Sequence, residues 1–241
     1  MGDGVIARNP ARRAGVKLPK LQRREAAWLT PEQVATVAQA AAAPYDLLVR
    51  LLGQKGLRWG EAVALRRRSV DLLGRSLLVR ESLAEVGGEL TFGPTKSHAE
   101  RRVPLTASLA AALEVHLDEV PADPEALIFT SPKGHAVRYA NFRCEVWVPA
   151  LAAAKLPRVG LHVLRHSAAA AWIRAGASPK ALQSVLGHGS AAFTLTVYGH
   201  VFEADMDSLA LSLEAVLAVT TTGRGRDDNG ADVDRARLHT V

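Results

Sequence analysis

Four short stretches carry residue types that do chemistry in combination. The first is Gly56-Leu57-Arg58-Trp59-Gly60-Glu61. The second is Leu161-His162-Val163-Leu164-Arg165-His166-Ser167, where His162 and Arg165 lie three apart and share a helix face while Leu161 and Leu164 turn inward. The third is Leu186-Gly187-His188, in which a glycine stops a helix and a histidine is presented just beyond it. The fourth, whose tyrosine lies ten residues after His188, is Thr194-Leu195-Thr196-Val197-Tyr198-Gly199-His200. Each is ordinary alone, since a lone helical histidine is most often a satisfied core or surface residue and a lone tyrosine usually packs. Together they supply permanently charged guanidiniums, imidazoles and a phenol, a set suited to gripping an anionic group. His162 and His166 have the spacing of a helical zinc pair, but HVLRH lacks a glutamate base and no third ligand is evident in the sequence. No metal or other cofactor is therefore expected, and His166 reads as a structural, hydrogen-bonding core residue. His200 reads as a cap of its segment rather than an assistant to His188.

In this order the four stretches resemble the tyrosine recombinase (phage integrase) family. That family carries an arginine in G-L-R-x-G-E, then H-x-x-R, then L-G-H, then a nucleophilic tyrosine. Arg58 matches the first arginine, His162 and Arg165 the H-x-x-R pair, His188 the L-G-H histidine and Tyr198 the nucleophile. The family also places a lysine in the turn between its second and third strands, where Lys96 of Phe92-Gly93-Pro94-Thr95-Lys96-Ser97 falls. One departure is Val163, where family members often have an aspartate. The likeness extends from about Leu29 to Val219.

The resemblance implies metal-independent cleavage and rejoining of a DNA strand through a 3′-phosphotyrosine intermediate. In that chemistry Arg58 and Arg165 hold the non-bridging phosphate oxygens with forked donors, and His188 donates a further hydrogen bond. Tyr198 attacks, His162 is the candidate base, and Lys96 protonates the departing 5′-oxygen. Glu61 is placed to hold Arg58. The implied partner is double-stranded DNA at attachment or crossover sites, with a homotetramer on DNA and an accessory DNA-bending protein. Two rivals share the residues: a type IB topoisomerase-like relaxing enzyme, and a DNA-binding integrase remnant with little activity. The L-H-x-L-R-H and L-G-H wording favours the recombinase.

The elements that must position these residues are mostly helical. Thr30 is a natural N-cap, Pro31 suits the first helical position, Gln33 closes a capping box, and Leu29 with Val34 forms a hydrophobic staple. A second helix spans roughly Tyr45 to Leu52, and a third about Arg58 to Arg67. Ser76–Leu83, Glu89–Phe92 and Arg101–Val103 read as strands with a tight turn at Gly87-Gly88. Thr106 opens another helix, ended by Pro121 and Pro124. Helical periodicity returns from Asn141, with one helix bounded by Ser178-Pro179 and Gly187, and an amphipathic helix over Glu203–Val219. The expected fold class is mainly α with a small three-stranded antiparallel sheet, like a tyrosine recombinase catalytic domain. Trp59, Trp147 and Trp172 read as core, and Arg66-Arg67-Arg68 as a solvated run brushing phosphates.

The chain of 241 residues is 48% hydrophobic, enough for a core, and its net charge of +6 fits a polyanionic partner. Its one cysteine, Cys144, excludes an intrachain disulfide framework. No apolar run approaches a membrane span and no signal peptide is legible, so a cytoplasmic, nucleoid-associated protein is expected. Residues 1–24 concentrate Arg8, Arg12, Arg13, Lys17, Lys20, Arg23 and Arg24, with no acidic residue from Arg8 onward. From charge alone this stretch reads equally as a solvated linker or as an arm along a phosphate backbone. The resemblance favours DNA contact, because relatives place a helical core-binding domain ahead of the catalytic one, and 1–24 looks like its end plus the linker. Residues 25–219 form the expected catalytic domain, and 220–241 a polar flexible tail.

Overall fold

The computed structural model describes residues 27–95, 99–203, 213–214 and 217. The basic stretch Arg8–Arg24, Lys96, the tail and most of the expected Glu203–Val219 helix lie outside the described residues.

Local signals set the first helices. Thr30 caps α1 (Pro31–Ala40), with Gln33 N–H donating to its hydroxyl and the Gln33 side chain accepting from Thr30 N–H. α2 (Tyr45–Lys55) ends at Gly56, whose φ of 67° is left-handed and therefore suits glycine. A Cβ there would lie 2.5 Å from Leu186 Cδ2, so the same glycine allows a distant helix to approach. α3 (Trp59–Val63) is shorter than the expected run to Arg67. The chain instead leaves the helix so that Arg66 pairs with Glu81 and Arg67 donates to the carbonyls of Leu117 and Val120. Arg66 and Arg67 are thus structural bolts rather than members of a solvated run.

A small three-stranded antiparallel sheet is present as expected, but with different members: β1 (Val70–Asp71), which the sequence does not mark, β2 (Ser76–Val79) and β5 (Arg101–Pro104), in the order β1-β2-β5. The expected Glu89–Phe92 strand lies outside it. The expected Ser76–Leu83 strand breaks at Arg80. β2 pairs with β5, Leu77 opposite Val103, while β3 (Glu81–Val86) pairs with β4 (Glu89–Pro94) as a separate hairpin. A single uninterrupted strand could not bury Leu77 and Val79 on the helices and also swing β3 over α3; the break lets each half choose its own partner.

The remaining helices are α4 (Ala107–Leu117), α5 (Tyr139–Phe142), which runs through a π-helical turn at Arg143–Trp147 into α6 (Val148–Ala153), then α7 (His162–Arg174), α8 (Pro179–Leu186) and α9 (Ala191–Glu203). Ser178 caps α8 and Gly187 closes it, as the sequence reads. α7 is the central element, packed on α1, α2, α8 and α9. Its buried row Val163, Leu164 and Ala168–Ala170 makes it apolar on most sides, which is why it lies inside the bundle. Trp147 is fully buried; Trp59 and Trp172 are partly buried against the same core. A smaller cluster of Ala169, Ile173, Leu182, Leu186, Tyr198 and Val201 joins α7, α8 and α9. Among the described residues, no helix is long and apolar enough to cross a membrane.

Candidate active site

Arg165 sits one turn into α7 and is only 4% exposed. One Nη donates to the carbonyl of Gly56 at 2.6 Å and the other to the carbonyl of Leu186 at 2.8 Å. Both acceptors stand at the ends of helices, α2 and α8, where carbonyls lack an intrahelical donor. The guanidinium thereby joins three helices and is itself fixed. Burial, then Arg58, lowers its pKa to about 10, which leaves it charged at neutral pH.

Arg58 is the N-cap of α3 and comes to the same place from the other side. Its Nη2 donates to the carbonyl of Gly187 at 3.2 Å, and its Nη1 pairs with Glu61 at 2.9 Å. Its backbone N–H donates to the second oxygen of Glu61 at 2.8 Å. Glu61, 1% exposed, therefore holds Arg58 as the sequence suggests. Arg58 keeps 29% of its side chain exposed while Arg165 is buried, so Arg58 is the more solvent-accessible guanidinium of the two.

His188 follows the left-handed turn at Gly187, φ 69°. Its backbone N–H donates to the Gln183 carbonyl, and Gln183 returns a side-chain N–H to the His188 carbonyl, which locks the turn. Its Nδ1 lies 2.9 Å from Thr194 Oγ1. Burial, then Arg165, Arg58 and Arg101, lower its pKa to about 4, so the ring is neutral at neutral pH.

Tyr198 lies in the middle of α9, not in a segment ahead of a helix beginning at Glu203, and is 3% exposed. Its ring runs parallel to His188, 13° between planes with centroids 6.3 Å apart. The phenol oxygen is 2.9 Å from Nδ1 of His166. His166 is held to about 4 by burial, His162 and Arg165, while burial raises the tyrosine. The imidazole is thus neutral and the phenol protonated, so Tyr198 donates and His166 accepts. His166 is more than the core residue the sequence suggested. His162 begins α7 with its ring edge-to-face on His166, centroids 4.9 Å apart. Burial, then Arg165 and Arg58, hold its pKa below the ordinary value.

The fold therefore brings Arg58, His162, Arg165, His188 and Tyr198 together from α3, α7, the α8 turn and α9. Lys96 belongs to the connection between β4 and β5 and lies outside the described residues. Sequence reasoning missed His166, Thr194 and Arg101. The spacing of His166 from His162 was visible, but nothing in it pointed to the phenol, and the other two partnerships carry no local signal.

Known proteins share this arrangement of elements. The chain is 28% identical to the integrase of Mycobacterium phage L5 over 192 residues, 77% of this chain and 51% of that protein. It is 31% identical to tyrosine recombinase XerC of Mycobacterium bovis over 217 residues, 82% of this chain and 66% of that protein. The chain spans about half the length of the curated phage integrases it matches. In fold it is similar to the Tn1549 transposon integrase, solved in complex with transposon right end DNA, with a TM-score of 0.68, 22% identity and coverage of 85% of this chain and 73% of that one. It is likewise similar to the catalytic domain of bacteriophage HP1 integrase, with a TM-score of 0.53, 23% identity and coverage of 77% and 94%. The phage integrase family itself matches residues 27–205, which take in every described element from α1 to α9, and the chain belongs to that family.

Proposed function

We propose that this chain carries the catalytic part of a site-specific DNA recombinase, which cuts and rejoins a DNA strand through a phosphotyrosine link at Tyr198. The observation that carries the reading is the convergence of Arg58 and Arg165 on the one turn that presents His188, through the carbonyls of Gly187 and Leu186, with the Tyr198 ring parallel to His188. Relatives named integrase and tyrosine recombinase support it, as do neighbours of the same fold solved with DNA.

A phosphodiester is an anion, and attack on it gathers charge on the non-bridging oxygens. Arg58 and Arg165 meet that charge with fixed, pre-positioned donors, and His188 adds a neutral one. The Tyr198 oxygen forms a bond to phosphorus as the bond from phosphorus to the 5′-oxygen breaks. The phenolic proton leaves toward the His166–His162 pair, and the 5′-oxygen takes a proton from Lys96. The 3′-phosphotyrosine conserves the bond energy, and a 5′-hydroxyl from a second strand reverses the step. The guanidiniums do the electrostatic work that a divalent cation would otherwise do, so the reaction runs without metal. Duplex DNA is the partner, bound by residues 27–205 and by the Arg8–Arg24 stretch along the phosphates, with four copies assembled on paired sites.

The test is incubation with a nicked suicide duplex followed by denaturing electrophoresis. A covalent adduct should form in EDTA and vanish in Tyr198→Phe with DNA binding retained. Adducts that persist in that variant, or that require a divalent cation, would sink the reading.

A further inference from the structure

Arg101 has no place in the mechanism above, yet it is the most constrained arginine near the site. It opens β5, is 8% exposed, and spends three donors on two partners. Its Nη1 and Nη2 grip the two oxygens of Glu61 at 3.1 and 2.6 Å, a forked carboxylate pair. Its Nε donates to the carbonyl of Val185 at 2.9 Å, in the last turn of α8. Each oxygen of Glu61 accordingly takes one bond from Arg58 and one from Arg101. The guanidinium also lies flat against the turn that presents His188. A Cβ at Gly187 would stand 2.9 to 3.1 Å from its Nη1, Cζ and Nε, so that glycine makes room for Arg101 as well as for its own φ.

Charge makes the second half of the argument. Glu61 paired with Arg58 alone would neutralise the more solvent-accessible of the two site guanidiniums. With Arg101 on the same carboxylate, the group Arg58–Glu61–Arg101 stays net positive, and the Glu61 charge is matched from behind. We propose that Arg101 is a positioning residue: it fixes Arg58 and the His188 turn in one frame and leaves Arg58 its positive charge for the phosphate. This rests on the recombinase reading only for what the frame is used for; the frame itself is a property of the DNA-free chain.

Three cations surround the Glu61 carboxyl: Arg58 from the cap of its own helix, Arg101 from β5, and Arg165 from α7. Burial pushes its pKa up, and the hydrogen bonds and charge of Arg101, ahead of those of Arg58, bring it below the ordinary carboxylate value. Without Arg101 the carboxyl should protonate at higher pH and release Arg58 as it does so.

The experiment compares the 241-residue chain with its Arg101→Gln and Arg101→Lys variants. Without DNA, NMR follows the Glu61 side-chain carboxyl, the Arg58 Nε–H and the His188 ring against pH. With saturating nicked duplex, the rate of adduct formation is followed over the same range, and DNA affinity is measured separately. In Arg101→Gln, Glu61 should titrate at higher pH than in the parent, and the Arg58 and His188 signals should shift. The adduct rate should fall roughly ten- to a hundredfold through misplacement of Arg58, and further as pH drops. Affinity should stay within about threefold, because one buried cation adds little to a phosphate-dominated interface. Arg101→Lys keeps the charge but not the fork, so it should restore the parent's pH profile while leaving the rate below it. Should Arg101→Gln fail to fold, the lysine variant still separates charge from fork. Unmoved Arg58 and Glu61 signals, an unchanged pH profile, or a loss confined to affinity would overturn the proposal. If the parent makes no adduct, the functional reading falls while the NMR titration still decides the role of Arg101.

Discussion

The phenol oxygen of Tyr198 and the Nδ1 of His166 lie 2.9 Å apart, one on α9 and the other on α7. Both groups are neutral at neutral pH, the tyrosine because burial raises it and the histidine because burial, then His162 and Arg165, hold it to about 4. The contact holds the phenol inward and protonated. Tyr198 should therefore resist nitration by tetranitromethane in the DNA-free chain, while Tyr139, 42% exposed, reacts readily. His166→Ala should bring Tyr198 nitration toward that of Tyr139 and cost about 1–3 kcal/mol of stability for the orphaned hydroxyl. Peptide mapping that finds Tyr198 as reactive as Tyr139 in the parent would show that the contact is not held in solution.

The two arginines of the site differ in what else they do, and lysine substitution should separate them. Arg165 satisfies the carbonyls of Gly56 and Leu186 at once, and one ammonium cannot replace a planar fork aimed at two helix ends. Arg165→Lys should slow cleavage and also cost about 1–3 kcal/mol of stability through the abandoned carbonyl. Arg58 is more exposed, and its backbone N–H keeps its bond to Glu61 whatever the side chain. Arg58→Lys should slow cleavage with a smaller change in Tm. Calorimetry and the suicide-substrate assay on the same preparations check both, and equal Tm losses would contradict the division.

What the sequence made legible was what adjacent residues encode. The Thr30 cap, the Pro31 start, the Ser178 cap and the Gly187 stop each need only a few neighbours, and all stand where the sequence puts them. The cluster was legible because Arg58, His162, Arg165, His188 and Tyr198 each sit in a recognisable local wording. The joints between distant segments were not. Arg101 meets Glu61 across 40 residues and His166 meets Tyr198 across 32, and neither pairing leaves a periodicity to read. The Ser76–Leu83 run reads as one strand because no glycine or proline interrupts it; only the competing partners β5 and β4 divide it. Likewise Gly199 argues against a helix at Tyr198, and the burial of Tyr198 and Val201 against α7 and α8 overrides that preference.

Two of the three depressed histidines, His166 and His188, give the fold a pH dependence of definite sign. His166 and His188 take up protons in the folded chain only near pH 4, against an ordinary value of 6.5. Between those values the unfolded chain binds more protons than the folded one, so stability falls as pH drops through this window and levels off below it. Each group could contribute at most about 3 kcal/mol, and less once solvent screening of a half-buried ring is allowed for. Denaturation followed between about pH 7.5 and 4.5 should show a falling Tm, with a shallower slope in a His166→Asn, His188→Asn double variant. An equal slope in that variant would assign the effect to carboxylates instead.

Lys96 offers the sharpest test of the leaving-group half of the chemistry. It lies between β4 and β5, and five residues on, Arg101 anchors the start of β5 to Glu61. That anchor ties the start of β5 to the Arg58–Glu61 pair, and in the proposed reaction Lys96 is the proton donor to the departing oxygen. An alkoxide is a poor leaving group and needs a proton as the bond breaks; a thiolate leaves without one. Lys96→Ala should therefore cleave an ordinary nicked duplex far more slowly than the parent. A duplex whose bridging 5′-oxygen at the scissile phosphate is sulfur should restore most of the lost rate. The same sulfur substrate should give Arg165→Lys no such relief, because that variant fails at the non-bridging oxygens. Failure of sulfur to help Lys96→Ala would move the lysine from proton donor to phosphate ligand, and equal relief of both variants would mean that the sulfur bond is simply weak.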